Sequence, residues 1–164
     1  MATAHYIADH DGNYTFPQPL HADQIVALAA SILESRLVRG DAYSKPADAG
    51  DYLRLQLGEL EHEEFGVMFL DTRHRLISFD VMFTGTIDSA SVHPREVVKR
   101  ALQHNAAAII CAHNHPSGVA EPSGADRALT RRLKDALGLI DVRVLDHFVV
   151  SANEQVSMSE RGMV

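Results

Sequence analysis

Apolar positions change their spacing several times along the chain, and each change predicts a new element. Residues 1–20 are polar and aromatic, hold Pro17 and Pro19, and read as an irregular arm. From His21 onward, Ile25, Leu28, Ala29, Ile32 and Leu33 recur at the spacing of one helix face. The stretch VRGDAYSKPADAG (38–50) reads as a loop, and a second helix is expected after Ser44-Lys45-Pro46, running through Leu53, Leu57 and Leu60. The period then drops to two. In EEFGVMFLD (63–71), Glu63, Phe65, Val67 and Phe69 fall on one side and Glu64, Gly66, Met68 and Leu70 on the other. Both sides are largely apolar, which predicts a central strand. HRLISFDVMFTGT (74–86) is its expected hairpin partner, ending at a Thr-Gly-Thr turn.

The second half alternates helix and strand. Pro94 opens a helix expected to reach Asn105, with Val97, Val98, Ala101 and Leu102 inward. AAIICA (107–112) is a short continuous apolar run, the pattern of a buried strand. Ser123 opens a helix whose apolar face is Ala125, Leu129, Leu133, Ala136 and Leu137, ending at Gly138. DVRVLDHFVV (141–150) predicts one or two strands and EQVSMS (154–159) a last short one. The expected fold class is mixed α/β: a central sheet flanked by helices, with a helical N-terminal extension. The expected division is an arm and helix over 1–45 and the main domain over 46–164.

Composition narrows the function. At 164 residues and 46% hydrophobic, the chain suffices for one full-sized core. It has no apolar run of membrane-spanning length, so no membrane partner is expected. Its N-terminus lacks the basic and apolar regions of a secretory signal, and its single cysteine, Cys111, cannot form an internal disulfide; a cytoplasmic setting is expected. Net charge is −7. Residues 1–90 carry 6 Lys/Arg against 14 Asp/Glu, whereas 91–164 carry 9 against 8. A general nucleic-acid binder needs a basic excess to neutralise phosphates, and this chain has none overall.

The densest chemistry lies in HNHPSGVAEPSGAD (113–126). His113 and His115 leave the end of the predicted buried strand, and residues i and i+2 share a strand face. Asp126 falls in the first turn of the next helix, and the Pro/Gly-rich loop between can fold it back towards the histidines. Two imidazole nitrogens and one carboxylate oxygen suit Zn²⁺ with a fourth position open to water, the pattern of a catalytic site. Such a metal polarises a carbonyl and lowers the pKa of water. A plainer reading stands beside it: Ser-x-x-Asp before an apolar helix is also a helix cap.

His113-x-His115, seven residues, Ser123, two residues and Asp126 resemble the JAMM motif of MPN+ domain metalloproteases. AHNHPSGVAEPSGAD, with FGVMFLD, SVHPREVVKRAL, NAAAII and VRVLDHFVV, is similar to the bacterial RadC family from about Leu60 to the C-terminus. The resemblance implies a cytidine-deaminase-like JAMM/MPN+ fold, one Zn²⁺ per chain held by His113, His115 and Asp126, and hydrolysis of a peptide or isopeptide bond in a protein-conjugate substrate. It also implies a glutamate base for the metal-activated water. Of Glu59, Glu61, Glu63 and Glu64, the patterns Glu-x-x-Gly and Glu-x-Phe select Glu63, with Glu64 the alternative. By the same resemblance Ser123 donates to the developing oxyanion.

His147, in the Asp146-His147 pair, is either an outer partner that orients a ligand or a core histidine. Cys111 shares strand parity with His113 and reads as a small buried residue rather than a fourth ligand. Arg127, Arg131, Arg132 and Lys134 form a basic stretch best read as a solvated face. The competing function is a DNA-repair or nucleic-acid-processing metal protein, suggested by the family's association. The letters His-Asn-His do not make an HNH nuclease, whose residues are widely spaced, and residues 1–60 lack the Gly-rich hairpin of a helix-hairpin-helix module. Direct DNA contact and homo-oligomerisation stay open at this stage.

Overall fold

The computed structural model describes residues 6–9, 11, 13–39, 46–85 and 92–164. Ser44, Lys45 and Thr86, invoked above for a helix start and a turn, lie outside the described residues. The elements run β1 (Ile7–Ala8), β2 (Tyr14–Thr15), α1 (Ala22–Arg39), α2 (Pro46–Leu57), β3 (Glu64–Leu70), β4 (Leu76–Thr84), α3 (Pro94–Gln103), β5 (Ala108–Asn114), α4 (Gly124–Gly138), β6 (Arg143–Val150) and β7 (Gln155–Ser157).

Five strands form one mixed sheet in the order β4-β3-β5-β6-β7. β3 pairs antiparallel with both β4 and β5, β5 and β6 are parallel, and β7 closes antiparallel on β6. The parallel pair needs a long crossover, and α4 supplies it. Helices cover both faces. On one face, Phe65, Val67, Phe69, Ile109 and Cys111 pack against Val97 and Ala101 of α3 and Leu133 and Leu137 of α4. On the other, Met68, Leu70, Ile110 and Ala112 pack against Ala49, Tyr52, Leu53 and Leu57 of α2, with Leu33 and Leu37 of α1 behind. A sheet covered on both faces explains why β3 and β5 lack polar alternation. Each fully buried Leu or Phe contributes about 1.5–3 kcal/mol to this three-layer core.

Several expectations are corrected. The arm is not wholly irregular, since β1 and β2 pair antiparallel. The expected loop 38–50 is too long at both ends: α1 continues to Arg39 and α2 begins at Pro46, where the missing proline N–H costs nothing. The helix after Pro94 stops at Gln103, and its Leu102 is 59% exposed rather than inward. Ile25 on α1 is likewise 54% exposed, because α1 rests on α2 at the molecule's outer layer and only Leu28 of its stripe is buried. The one or two strands expected over 141–150 resolve into one, Arg143–Val150. The strand after Ala107 runs on to Asn114, so His113 belongs to the strand itself.

Two local features set the phase of the side chains. Gly66 lies where an added Cβ would come within 2.6 Å of the Phe79 ring, so any larger residue would force that ring out of its place over β3. In β6 the register slips: Ile109 pairs with Val144 but Ile110 with Asp146. Leu145 is the extra residue, and the bulge reverses the alternation beyond it. Val144 and His147 therefore share the α3/α4 side although they are three positions apart. Among the described residues, no helix is long and apolar enough to cross a membrane.

Candidate metal centre

The three residues selected from the sequence converge. His113 Nε2 lies 3.0 Å from His115 Nε2 and 3.3 Å from Asp126 Oδ1. One ligand atom from each residue lies within 4.8 Å of the others, and this is the grouping of His, Cys, Asp and Glu found among the described residues. Nitrogen and oxygen ligands about 2.0–2.2 Å from a tetrahedral zinc lie about 3.3–3.6 Å apart; the 3.3 Å pair matches that spacing and the 3.0 Å pair is slightly tighter, so small side-chain shifts would admit one small divalent cation. Burial is graded across the group. His113 is 2% exposed, whereas His115 and Asp126 are half-buried. The centre therefore has a sealed floor and an open side, as a site with a free coordination position requires.

Each side chain of the group is aimed by a second contact. His115 Nδ1 sits 2.8 Å from the Val119 carbonyl. A carbonyl only accepts, so Nδ1 carries the proton and Nε2 keeps its lone pair for the cation. Gly118, at φ +87°, provides the left-handed backbone of this loop at no steric cost. Asp126 Oδ2 accepts the Ser123 N–H at 2.6 Å, leaving Oδ1 on the His113 side. His113 Nδ1 lies 2.8 Å from His147 Nε2, inside the protein. Phe65 stacks on His113 at 6.5 Å and meets His147 edge-on at 5.6 Å, shielding both rings from water.

The electrostatics follow from that geometry. Burial pushes the His113 pKa down to about 4, with Asp126 opposing and His115 reinforcing the shift. The ring is neutral near pH 7, the state a metal ligand needs. Burial, then the nearby His113 ring, drives His147 well below its ordinary value. For Asp126 burial acts to raise the pKa, but His113 and the Ser123 hydroxyl and amide outweigh it, and the carboxylate stays ionised below the usual range. Burial holds the Cys111 thiol protonated far above its ordinary range. Cys111 lies outside the ligand group, in agreement with its reading as a buried strand residue.

Ser123 and Asp126 also form a reciprocal capping box at the start of α4, with Asp126 N–H donating to Ser123 Oγ at 3.2 Å. The capping and metal readings are thus compatible. The cap itself uses a lone pair of Oγ and Oδ2 and leaves Oδ1 on the His113 side, while the Ser123 hydroxyl proton favours the Asp126 carboxylate. Glu63 stands one residue before β3 and its carbonyl accepts from Gly85 N at 2.7 Å. It is not a member of the ligand group. Strand alternation carried back from Phe65 puts Glu63 on the His113 side of the sheet and Glu64 on the α2 side. Arg131, Arg132 and Lys134 are exposed along α4, a solvated face.

Sequence reasoning passed over three contributors: the Val119 carbonyl, Thr130 and Asn114. Asn114, fully buried between the two histidine ligands, turns to the other side of β5. Its Oδ1 accepts from Glu64 N at 2.7 Å, and its Nδ2 donates to the carbonyls of His62 at 2.9 Å and Leu60 at 3.2 Å. One amide thereby ties the segment carrying Glu63 to the strand end carrying the ligands. Alternation could have found it, since a polar side chain on a buried strand face must be satisfied by something nearby.

A five-stranded mixed sheet between helix layers, with His-x-His at a buried strand end and an aspartate on the next helix, defines a JAB/MPN-type α/β domain. The model of the RadC-like JAB domain matches residues 43–163, and the chain belongs to that family. A UPF0758 protein of Vibrio cholerae serotype O1 is 54% identical over 149 residues, covering 91% of this chain and 94% of that protein. A UPF0758 protein of Ectopseudomonas mendocina is 57% identical over 138 residues, covering 84% of this chain but 62% of that protein. One from Methylibium petroleiphilum is 58% identical over 140 residues, with 63% of its length covered. The chain thus spans less than two thirds of the latter two relatives. The family and the His113, His115, Asp126 grouping together support a metal-dependent, hydrolase-like domain.

Proposed function

We propose that the domain is a zinc metallopeptidase that hydrolyses a peptide or isopeptide bond, with His113, His115 and Asp126 as ligands, Glu63 as general base and Ser123 as oxyanion donor. The observation that carries this reading is the convergence of three ligand atoms, each held by a second hydrogen bond, around a centre open on one side. A divalent cation bound there supplies a Lewis acid that polarises the scissile carbonyl and makes water acidic near neutral pH.

The chain's own residues do the remaining work. Glu63 takes the proton of the attacking water and returns it to the leaving amine, a single carboxyl acting first as base and then as acid. Ser123, whose hydroxyl turns from the Asp126 carboxylate to the substrate, donates to the oxygen on which negative charge develops. The Phe65 ring against His113 and His147 excludes water from the inner side, so charge changes at the centre are poorly screened. The acidic first half of the chain weighs against a general nucleic-acid substrate.

The test is metal-dependent cleavage of a peptide library and of ubiquitin-like conjugates by the zinc-loaded protein. Cleavage that is abolished by a chelator and by Glu63→Gln supports the proposal. Cleavage that survives either treatment, or zinc-loaded protein that cuts no peptide or isopeptide bond, contradicts it.

A further inference from the structure

The inner end of the metal centre continues into the protein as a chain of hydrogen bonds that ends on Thr130. Beyond His113 Nδ1 and His147 Nε2, 2.8 Å apart, His147 Nδ1 lies 2.6 Å from Thr130 Oγ1. Thr130 Oγ1 in turn lies 2.7 Å from the backbone carbonyl of Asp126, four residues earlier on α4. His147 and Thr130 are both buried, at 0% and 1% exposure. The chain therefore starts at one ligand, His113, and returns to the backbone of another, Asp126.

Counting protons decides its direction. Three contacts need three protons. A carbonyl oxygen has none, a hydroxyl has one and each neutral imidazole has one. The Asp126 carbonyl, which also takes the Thr130 N–H of the helix, carries no proton, so the 2.7 Å contact to Thr130 Oγ1 needs the hydroxyl's own. Thr130 Oγ1 must then accept from His147 Nδ1–H, and His147 Nε2 must accept from His113 Nδ1–H. With its proton used inward, His113 presents an unprotonated Nε2 to Asp126 Oδ1 and His115 Nε2. Reversing any one of these three links leaves one of the three with no proton or with two, whereas the arrangement adopted leaves its proton-free contact at His113 Nε2 and His115 Nε2, where a shared cation would sit.

We infer that Thr130 is a positioning residue for the metal centre: through His147 it sets the tautomer of His113 that can bind a cation. Without the hydroxyl, His147 loses its acceptor at Nδ1 and is free to place its proton on Nε2. His113 then accepts at Nδ1 and carries its own proton on Nε2, where the cation should bind. Outer partners of this kind typically change metal affinity 10–100-fold. This role of Thr130 rests on the metal-site reading, and the experiment separates the two.

Zinc affinity is measured by competition with a chromophoric chelator for wild type, Thr130→Val and Thr130→Ser. Nitrogen-15 NMR of the zinc-loaded wild type locates the ring protons. Thr130→Val keeps the shape and removes the hydroxyl, and should bind zinc about 10–100-fold more weakly. Thr130→Ser restores the acceptor and should bind within about threefold of wild type. The wild-type spectrum should show His147 protonated at Nδ1 and not at Nε2. Zinc affinity unchanged in Thr130→Val, or a His147 proton found on Nε2, overturns the role of Thr130 and leaves the metal site standing. A wild type that takes up no zinc overturns both. The NMR result does not depend on the folding of any variant.

Discussion

His113 reaches His147 diagonally: their ring nitrogens are 2.8 Å apart, although the β5–β6 register sets Cys111, not His113, opposite His147. The diagonal works because the bulge at Leu145 turns His147 to the α3/α4 side, where His113 also points. A ligand ring is thus buttressed by a buried partner from the neighbouring strand rather than by water. The outer members of the group, His115 and Asp126, are held instead by a loop carbonyl and a helix cap.

This arrangement makes the metal-free protein acid-sensitive. His113 has an ordinary pKa of 6.5 in an unfolded chain and about 4 when folded. Between those values the unfolded chain takes up a proton that the folded chain refuses. The stability contributed is fully present above pH 6.5 and is lost as pH falls towards 4. At about 1.4 kcal/mol per pH unit, His113 alone accounts for roughly 3 kcal/mol. The depressed pKa of His147 acts with the same sign. Urea unfolding of chelator-treated protein at intervals from pH 7 to pH 4.5 should show stability falling steadily; a flat profile would contradict neutral buried rings.

Glu63→Gln should leave zinc content unchanged while lowering hydrolysis by about 10²–10⁴-fold. Glu64→Gln should change the rate by less than about threefold, since strand alternation sends Glu64 to the α2 side. Steady-state rates on one substrate, with metal content determined on the same samples, check this. Interchanged effects would move the base to Glu64.

Asn114→Ala should destabilise the domain by about 1–3 kcal/mol, because the Glu64 N–H and two carbonyls lose their shared partner in a buried setting. Amide hydrogen exchange at Glu64 should accelerate, and hydrolysis should fall with it as the segment bearing Glu63 loosens. Unchanged exchange at Glu64 would show that the segment is held by other contacts.

The strands and helices that build the sheet were legible from period alone, because β3 and β5 are apolar on both sides and α4 keeps a regular stripe. The grouping of His113, His115 and Asp126 was legible because they are close in sequence and parity joins the two histidines. What escaped depends on tertiary phase. Parity along residues 143–150 groups Val144 with Asp146, and only the bulge at Leu145 puts His147 with Val144. Thr130 sits on α4 as one polar residue among many, and nothing in its neighbours marks the buried contact to a strand that begins thirteen residues later. The exposures of Ile25 and Leu102 escaped for the opposite reason: a stripe predicts a helix, and the depth of its burial is set by the layer it packs on.

The most direct test of the central claim is elemental analysis of the purified wild type beside His113→Ala and Asp126→Ala. The account predicts about one zinc per chain in the wild type and its loss in both variants, each still folded by circular dichroism. Wild-type protein devoid of divalent metal after incubation with zinc, or zinc retained in both variants, would contradict the assignment of these residues as the ligands.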